Sequence, residues 1–195
     1  LLMEKACVIM SVYRSDSPLF LKESLDSLIN QTYSNLSIYL CQDGPVPPTT
    51  QSVLEIFCKQ YSHVHLIKNE TNIGLARSLN KLIERLITNK DNIYFVRMDA
   101  DDISHPDRIN KQVNYMKEHQ IKVCGSYCKE FGASYALPKK KVPINHNDIL
   151  NKAFANCPFI HPTVIFERSV FESGIRYPEN TTFTEDMALW FLLIR

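Results

Sequence analysis

The sequence predicts an α/β fold, a mostly parallel sheet with helices on both faces. Two observations carry this. Between residues 6 and 99, four short apolar runs are separated by three segments of helical periodicity, a rhythm that builds parallel sheets covered on both sides. Two of those runs end in a carboxylate, Asp43 and Asp99. In such sheets ligands bind beyond the carboxyl ends of the strands, near a switch in strand order.

The elements follow in chain order. "ACVIMSV" (6–12) reads as the first strand. In "SPLFLKESLDSLINQTY" the residues Leu21, Leu25, Leu28 and Ile29 recur at helical spacing, and Ser17-Pro18 supplies a cap and first turn. "LSIYLCQD" (36–43) is a second strand. Gly44 with Pro45, Pro47 and Pro48 makes a loop, and "TQSVLEIFCKQY" a helix. "VHLIKN" (64–69) is a third strand. "GLARSLNKLIERLI" (74–87) is a helix with Leu75, Leu79, Leu82, Ile83 and Leu86 on one face, and Asn72 is positioned to cap it. "NIYFVRMD" (92–99) is the fourth strand. Beyond residue 106 the pattern loosens: a helix over "PDRINKQVNYMKEH" opening at Pro106, strands with a turn in "KVCGSYCKEFGASYA", a short helix in "HNDILNKAFAN", and a strand running into a helix in "HPTVIFERSVFES". No linker, repeat or low-complexity tract divides the chain, so residues 1–195 are expected to form one domain. Its 1–103 half has the nucleotide-binding pattern; its 104–195 half is more irregular. The apolar run "EDMALWFLLIR" stops without a cap, so the helix is expected to continue past residue 195.

Composition narrows the function. A hydrophobic fraction of 45% supports a sizeable core, and a net charge of +1 gives no sign of a nucleic-acid binder. The basic run Lys139-Lys140-Lys141 reads as a solvated loop, or as a local phosphate or membrane contact. The six cysteines form no CxxC pair and read as free thiols of a reducing cytosol. Asn35, Asn69 and Asn180 open sequons that read as chance matches without a signal peptide. No run is long and apolar enough for a membrane-spanning helix.

"YFVRMDADDISHPDR" (94–108) gathers Asp99, Asp101 and Asp102 at the end of a buried strand. Such charges repel one another and resist burial. Carboxylates are hard oxygen ligands suited to Mg²⁺ or Mn²⁺, which are commonly held by one or two carboxylates and phosphate oxygens together. An extended chain would turn Asp99 and Asp101 to the same side. The alternative is local: Asp102 or Ser104 capping the helix at Pro106. An EF-hand lacks its glycine and distal Glu, and a D-x-D-x-T phosphatase would carry the motif on its first strand.

Other residues have two readings each. Asp43 can accept hydrogen bonds from a base or ribose, or is a turn Asp before Gly44. Arg77 can meet a phosphate, or lies on an exposed helix face. Glu185 and Asp186 fit a helix start, yet nearby amides would also keep a carboxylate ionised, as a general base requires. His161, between Pro158 and Pro162, reads as a structural histidine, and Trp190 as core.

Taken in order, "VIMSVYRSD", "ESLDSLINQTYSNLSIYLCQDG", "NIGLARSLN", "VRMDADDISHPDRI", "HPTVIF" and "TEDMALW" resemble the family 2 glycosyltransferases, which adopt the GT-A fold. The resemblance runs from about residue 6 to the end. It implies a nucleotide-sugar site in which Ser11, Tyr13 and Asp43 hold base and ribose and Arg77 lies near base and phosphates. It further implies that Asp99 and Asp101 hold the metal and diphosphate, with Asp101 the more direct ligand, and that Asp102 touches the sugar. Asp186 is implied as catalytic base, with Glu185 the second choice or an acceptor contact. One departure stands out: the family's "DDGS" is "QDGP" here, so Gln42 and Pro45 replace an acid and a serine. The implied reaction is displacement with inversion, moving a sugar from a UDP-sugar to a saccharide or lipid-linked acceptor with Mn²⁺ or Mg²⁺. Bacterial surface-glycan synthesis in the cytoplasm, peripheral to the inner face of the plasma membrane, is the implied setting. The alternatives are a nucleotidyltransferase, which would normally show a Gly-rich loop after the first strand whereas no glycine precedes Gly44, and a nucleotide-sugar-binding module without turnover.

Overall fold

The computed structural model describes residues 3–181 and 184–194. It contains one six-stranded sheet built from β1 (Lys5–Val12), β2 (Leu36–Asp43), β3 (Val64–Asn69), β4 (Asn92–Arg97), β5 (Val123–Cys124) and β6 (Ile165–Glu167). Their order across the sheet is β3-β2-β1-β4-β6-β5. β1 pairs in parallel with both β2 and β4, and β2 with β3; β6 runs antiparallel to β4 and β5. The chain therefore works outward from β1 to β3 and then returns to the other side of β1. That reversal puts the switch point between β1 and β4, where the carboxyl ends open a crevice.

The helices are α1 (Pro18–Ile29), α2 (Pro48–Gln60), α3 (Leu75–Ile87), α4 (Arg108–His119), α5 (His146–Ala153), α6 (Ser169–Glu172) and α7 (Glu185–Leu193). β1 is buried on both faces, so its side chains divide between two cores. Ala6, Val8, Met10 and Val12 join α1, α2 and α4 on one face. Cys7 and Ile9 join Leu79, Leu82 and Ile83 of α3 and Leu189 and Trp190 of α7 on the other. Strands buried on both faces become continuous apolar runs rather than alternating ones, which is how β1 reads in the sequence.

Several expectations hold in detail. Ser17 caps α1, its Oγ accepting from the Phe20 amide at 3.4 Å with Pro18 in the first turn. All six cysteines are free thiols, with Cys7 and Cys41 buried. Others need correction. α4 begins at Arg108, not Pro106, and has no side-chain cap, so neither Asp102 nor Ser104 serves as one. Ser104 Oγ accepts instead from Arg108 Nε and Gln31 Nε2. The stretch expected to hold strands keeps only Val123–Cys124 and a lone bridge between Cys128 and Lys140. No helix among the described residues is long and apolar enough to cross a membrane.

Candidate active site

A cavity of about 520 Å³ opens over the carboxyl ends of β1, β2 and β4. It is lined by Ser11, Tyr13, Asp43, Arg77, Asp99, Asp101 and Glu185, all expected from the sequence to serve a site. They reach it from five separate segments, because the parallel strands all end on this rim.

The β2 end is rigidly built. Asp43 Oδ1 accepts from the Ile73 amide at 2.8 Å and from Asn69 Nδ2 at 3.1 Å, and Oδ2 accepts from the Gly74 amide at 2.9 Å. These amides open α3, whose N-terminal end favours an anion. Asp43 thus does the capping expected of Asn72, whose Nδ2 reaches back to the Asp43 carbonyl at 3.4 Å. Gly44 is obligatory here. Its φ is +82°, and a Cβ would lie 2.6 Å from the Asn72 nitrogen, so the two loops can touch only where no side chain intervenes.

The β4 end carries the acids. The strand stops at Arg97, and Ala100 and Asp101 form a turn, so Asp99 and Asp101 converge by turning and not by extension. One ligand atom from each of Asp99, Asp101 and Asp102 lies within 4.8 Å of the others. Beneath them, the buried Arg97 guanidinium is ion-paired with Asp99. Arg108, from α4, braces the strand end, donating to the Arg97 and Pro162 carbonyls at 3.3 and 3.1 Å. Burial, and then the charges of Asp99 and Asp101, push the Asp102 carboxyl up to about 6, against the pull of Arg97 and Arg108.

Asp16 also lines the cavity, and the sequence reading missed it. Its Oδ2 accepts the Tyr13 amide at 2.8 Å, closing the loop after β1. Burial pushes its carboxyl up to about 6; the Tyr13 bond opposes this, and Asp101 and Asp99 reinforce it. Glu179 was missed as well; it pairs with Arg77 at 3.3 Å across the cavity wall. Nothing local marks either residue: one follows a loop serine, the other a proline. Counting both, six of the described lining residues are acidic and one, Arg77, is basic. An anionic ligand entering this cavity would be repelled unless a cation came with it.

On the far side, Glu185 and Asp186 open α7. Glu185 lines the cavity; Asp186 and Asp102 do not. Asp186 Oδ1 accepts from its neighbour Met187 at 2.7 Å, and its Oδ2 lies 3.7 Å from Cys157 Sγ. His161 is a structural histidine, as expected: its Nε2 is 2.9 Å from the Tyr177 hydroxyl, and burial together with Arg97 holds it well below the usual imidazole value. Tyr177 shares two bonds of 2.9 Å with the Asn80 side chain, which also reaches Glu179 at 3.0 Å. The segment leading to Glu179 is therefore anchored in the core through Tyr177.

The sequence profile of Glycosyl transferase family 2 matches residues 7–174. Among curated proteins, the chain is 32% identical to the amylovoran biosynthesis glycosyltransferase AmsE of Erwinia amylovora over 188 residues, covering 96% of this chain and 68% of that one. Among solved structures, it matches S. aureus TarS in complex with UDP at a TM-score of 0.72 and 19% identity, covering 95% of this chain and 54% of that one. It matches the mannosyltransferase PcManGT of Pyrobaculum calidifontis, in complex with GDP-Man and Mn²⁺, at 0.69 and 16%, covering 96% and 51%. At these identities the structural likeness is one of fold. The chain spans about half the length of those two solved chains.

Proposed function

The chain belongs to Glycosyl transferase family 2, and from that premise we propose that it transfers a sugar, with inversion, from a nucleoside diphosphate donor to an acceptor hydroxyl in bacterial surface-glycan synthesis. The observation that carries this is the acid-lined cavity at the switch point between β1 and β4. A UDP-sugar is the donor class we favour, in keeping with the UDP complex of TarS; a saccharide or lipid-linked saccharide is the acceptor class. We assign the reaction to the cytoplasmic face of the membrane. Residues 1–103 would bind the nucleotide, and 104–195 would supply the acceptor side of a single domain.

Ser11 and Tyr13, at the end of β1, are assigned to the base and ribose. Asp43 is assigned to the same subsite, where its carboxylate also fixes the Ile73–Gly74 backbone. Arg77 is the cation of the cavity wall and faces the diphosphate. Asp99 and Asp101 fit a divalent ion: they are hard oxygen donors, and their mutual repulsion in an acidic cavity is relieved by positive charge. Mn²⁺ or Mg²⁺ held there supplies Lewis-acid neutralisation of charge developing on the departing diphosphate. Asp102 is assigned to the sugar.

An in-line displacement puts the attacking hydroxyl opposite the leaving group. The base must then stand outside the nucleotide pocket, beyond the anomeric carbon. We assign Asp186 to that position, since it stands next to the cavity-lining Glu185 and does not itself line the nucleotide cavity. Asp186 is the proposed base, taking the acceptor proton as the oxygen attacks, and Glu185 the acceptor contact. Such help is worth roughly 10²–10⁴ in rate. The test is a thermal-shift panel of nucleotide sugars with and without Mn²⁺, followed by transfer assays with the donors that bind. No shift with any donor would contradict the reading.

A further inference from the structure

Away from the donor cavity, residues 127–154 carry a series of exposed aromatic and cationic groups. Cys128 and Lys140 pair across the lone antiparallel bridge, and the Glu130 amide donates to the Leu137 carbonyl at 2.9 Å, so 128–140 folds as a hairpin. Tyr127, Phe131, Tyr135 and Leu137 stand exposed on it, Tyr135 by 86%. The neighbouring α5 buries only Ala153, and the chain beside it leaves Ile144 73% and Phe154 80% exposed. The same stretch carries five lysines, at 129, 139, 140, 141 and 152, against Glu130 and Asp148. Its net charge is +3, so the remainder of the chain, at +1 overall, carries −2.

Large apolar side chains in water call for a partner. A protein partner is disfavoured by the lysines, which are depleted from protein interfaces. A neutral glycan has no use for the charge. Aromatic rings beside clustered lysines suit the headgroup region of an anionic bilayer, where rings sit at the interface and cations meet lipid phosphates. The face also borders the acceptor side of the cleft: Ser126, just before it, donates its amide to Thr163 Oγ1 at 3.0 Å, and Cys157, just after it, lies 3.7 Å from Asp186.

We propose that this hairpin and α5 form a docking surface for an anionic lipid bilayer, which sets the Asp186 side of the cleft beside the membrane. The surface is separate from the donor cavity, and its test needs no donor. The whole chain is co-sedimented with phosphatidylcholine vesicles and with vesicles containing phosphatidylglycerol. Binding is expected for the anionic vesicles, weakening with salt. Lys139→Gln/Lys141→Gln should lower partitioning roughly thirtyfold, Lys139→Arg/Lys141→Arg should retain it, and Phe131→Ser/Tyr135→Ser should lower it about tenfold. All three pairs are exposed or in a surface loop, and an unchanged melting temperature shows that each variant folds. Equal binding to neutral vesicles, wild-type binding by the Gln and Ser pairs, or displacement by inorganic diphosphate at matched ionic strength would each overturn the proposal. The last result would mark a phosphate site instead of a membrane surface. Any of them leaves the transferase reading standing, since donor binding is measured separately.

Discussion

The buried guanidinium of Arg97 is ion-paired with the carboxylate of Asp99, two residues further along the same strand end. Arg97 is 1% exposed and Asp99 37%, so the charge buried below meets its partner at the floor of the cavity. The pair offsets part of the repulsion among three acids and fixes one of them in place. Removing one partner of a buried pair costs about 3–5 kcal/mol, less where the other partner can reach water. Arg97→Leu is expected to destabilise the fold by about 2 kcal/mol, read as a lower urea midpoint, and to weaken donor binding measured by calorimetry.

The acids above this pair make the metal-free protein pH-sensitive. Asp16 and Asp102 hold their protons up to about 6, from an ordinary 3.8. The folded state therefore binds these protons more tightly than the unfolded state. Their contribution to stability is complete below about pH 4 and is lost as pH rises through about 6. Asp102→Asn keeps the uncharged form at every pH. Without metal it is expected to melt above wild type at pH 8, with the gap closing toward pH 4. Added Mn²⁺ should raise the wild-type melting temperature more at pH 8 than at pH 5, because protonating Asp16 and Asp102 removes negative charge that attracts the cation to the neighbouring Asp99 and Asp101.

Gly44 offers a test of how the loops are locked. Alanine there meets both a positive φ and a backbone nitrogen 2.6 Å away. Gly44→Ala is expected to cost about 2 kcal/mol or more, seen in urea unfolding. Donor affinity should fall with it, because Ile73 and Gly74 lose their fixed relation to Asp43. Gly174, where a Cβ meets nothing within 4 Å but φ is +91°, is the control for strain alone.

The core half of this fold was legible because its strands are short, apolar and bounded by turn residues; the bounds of β2 and β3 match the sequence reading at both ends. The region 125–144 was not, since its conformation rests on side-chain bonds such as Ser126 to Thr163 Oγ1 and Lys140 to Glu130, which no periodicity announces; the short helix that follows it, α5, was. The site was legible where a residue closes a strand, as Asp43 does, or follows its end closely, as Asp99 does. Asp16 and Glu179 were missed because they reach the cavity through loops, and only the packing of those loops brings them there. The sequence points to Asn72 as the cap of α3 by proximity, whereas Asp43, twenty-nine residues earlier, supplies it through the sheet.

Kinetics tests the proposed division of the acceptor side between Asp186 and Glu185. Asp186→Asn is expected to leave donor binding within about twofold while lowering kcat by roughly 10²–10⁴. Glu185→Gln, which alters a cavity-lining acid, should raise the acceptor KM more than it lowers kcat. The split is read from steady-state kinetics at varied acceptor concentration. Equal kcat losses with unchanged KM would move the base role to both carboxylates jointly.

The central claim is that the acids at the end of β4 receive a divalent cation together with a nucleoside diphosphate. Isothermal titration of UDP-sugars into wild type and Asp101→Ala, with Mn²⁺ and then with chelator, tests it most directly. Wild type should bind only with the cation, and the variant should lose at least about tenfold in affinity. Binding unaffected by both the chelator and the substitution would contradict the account.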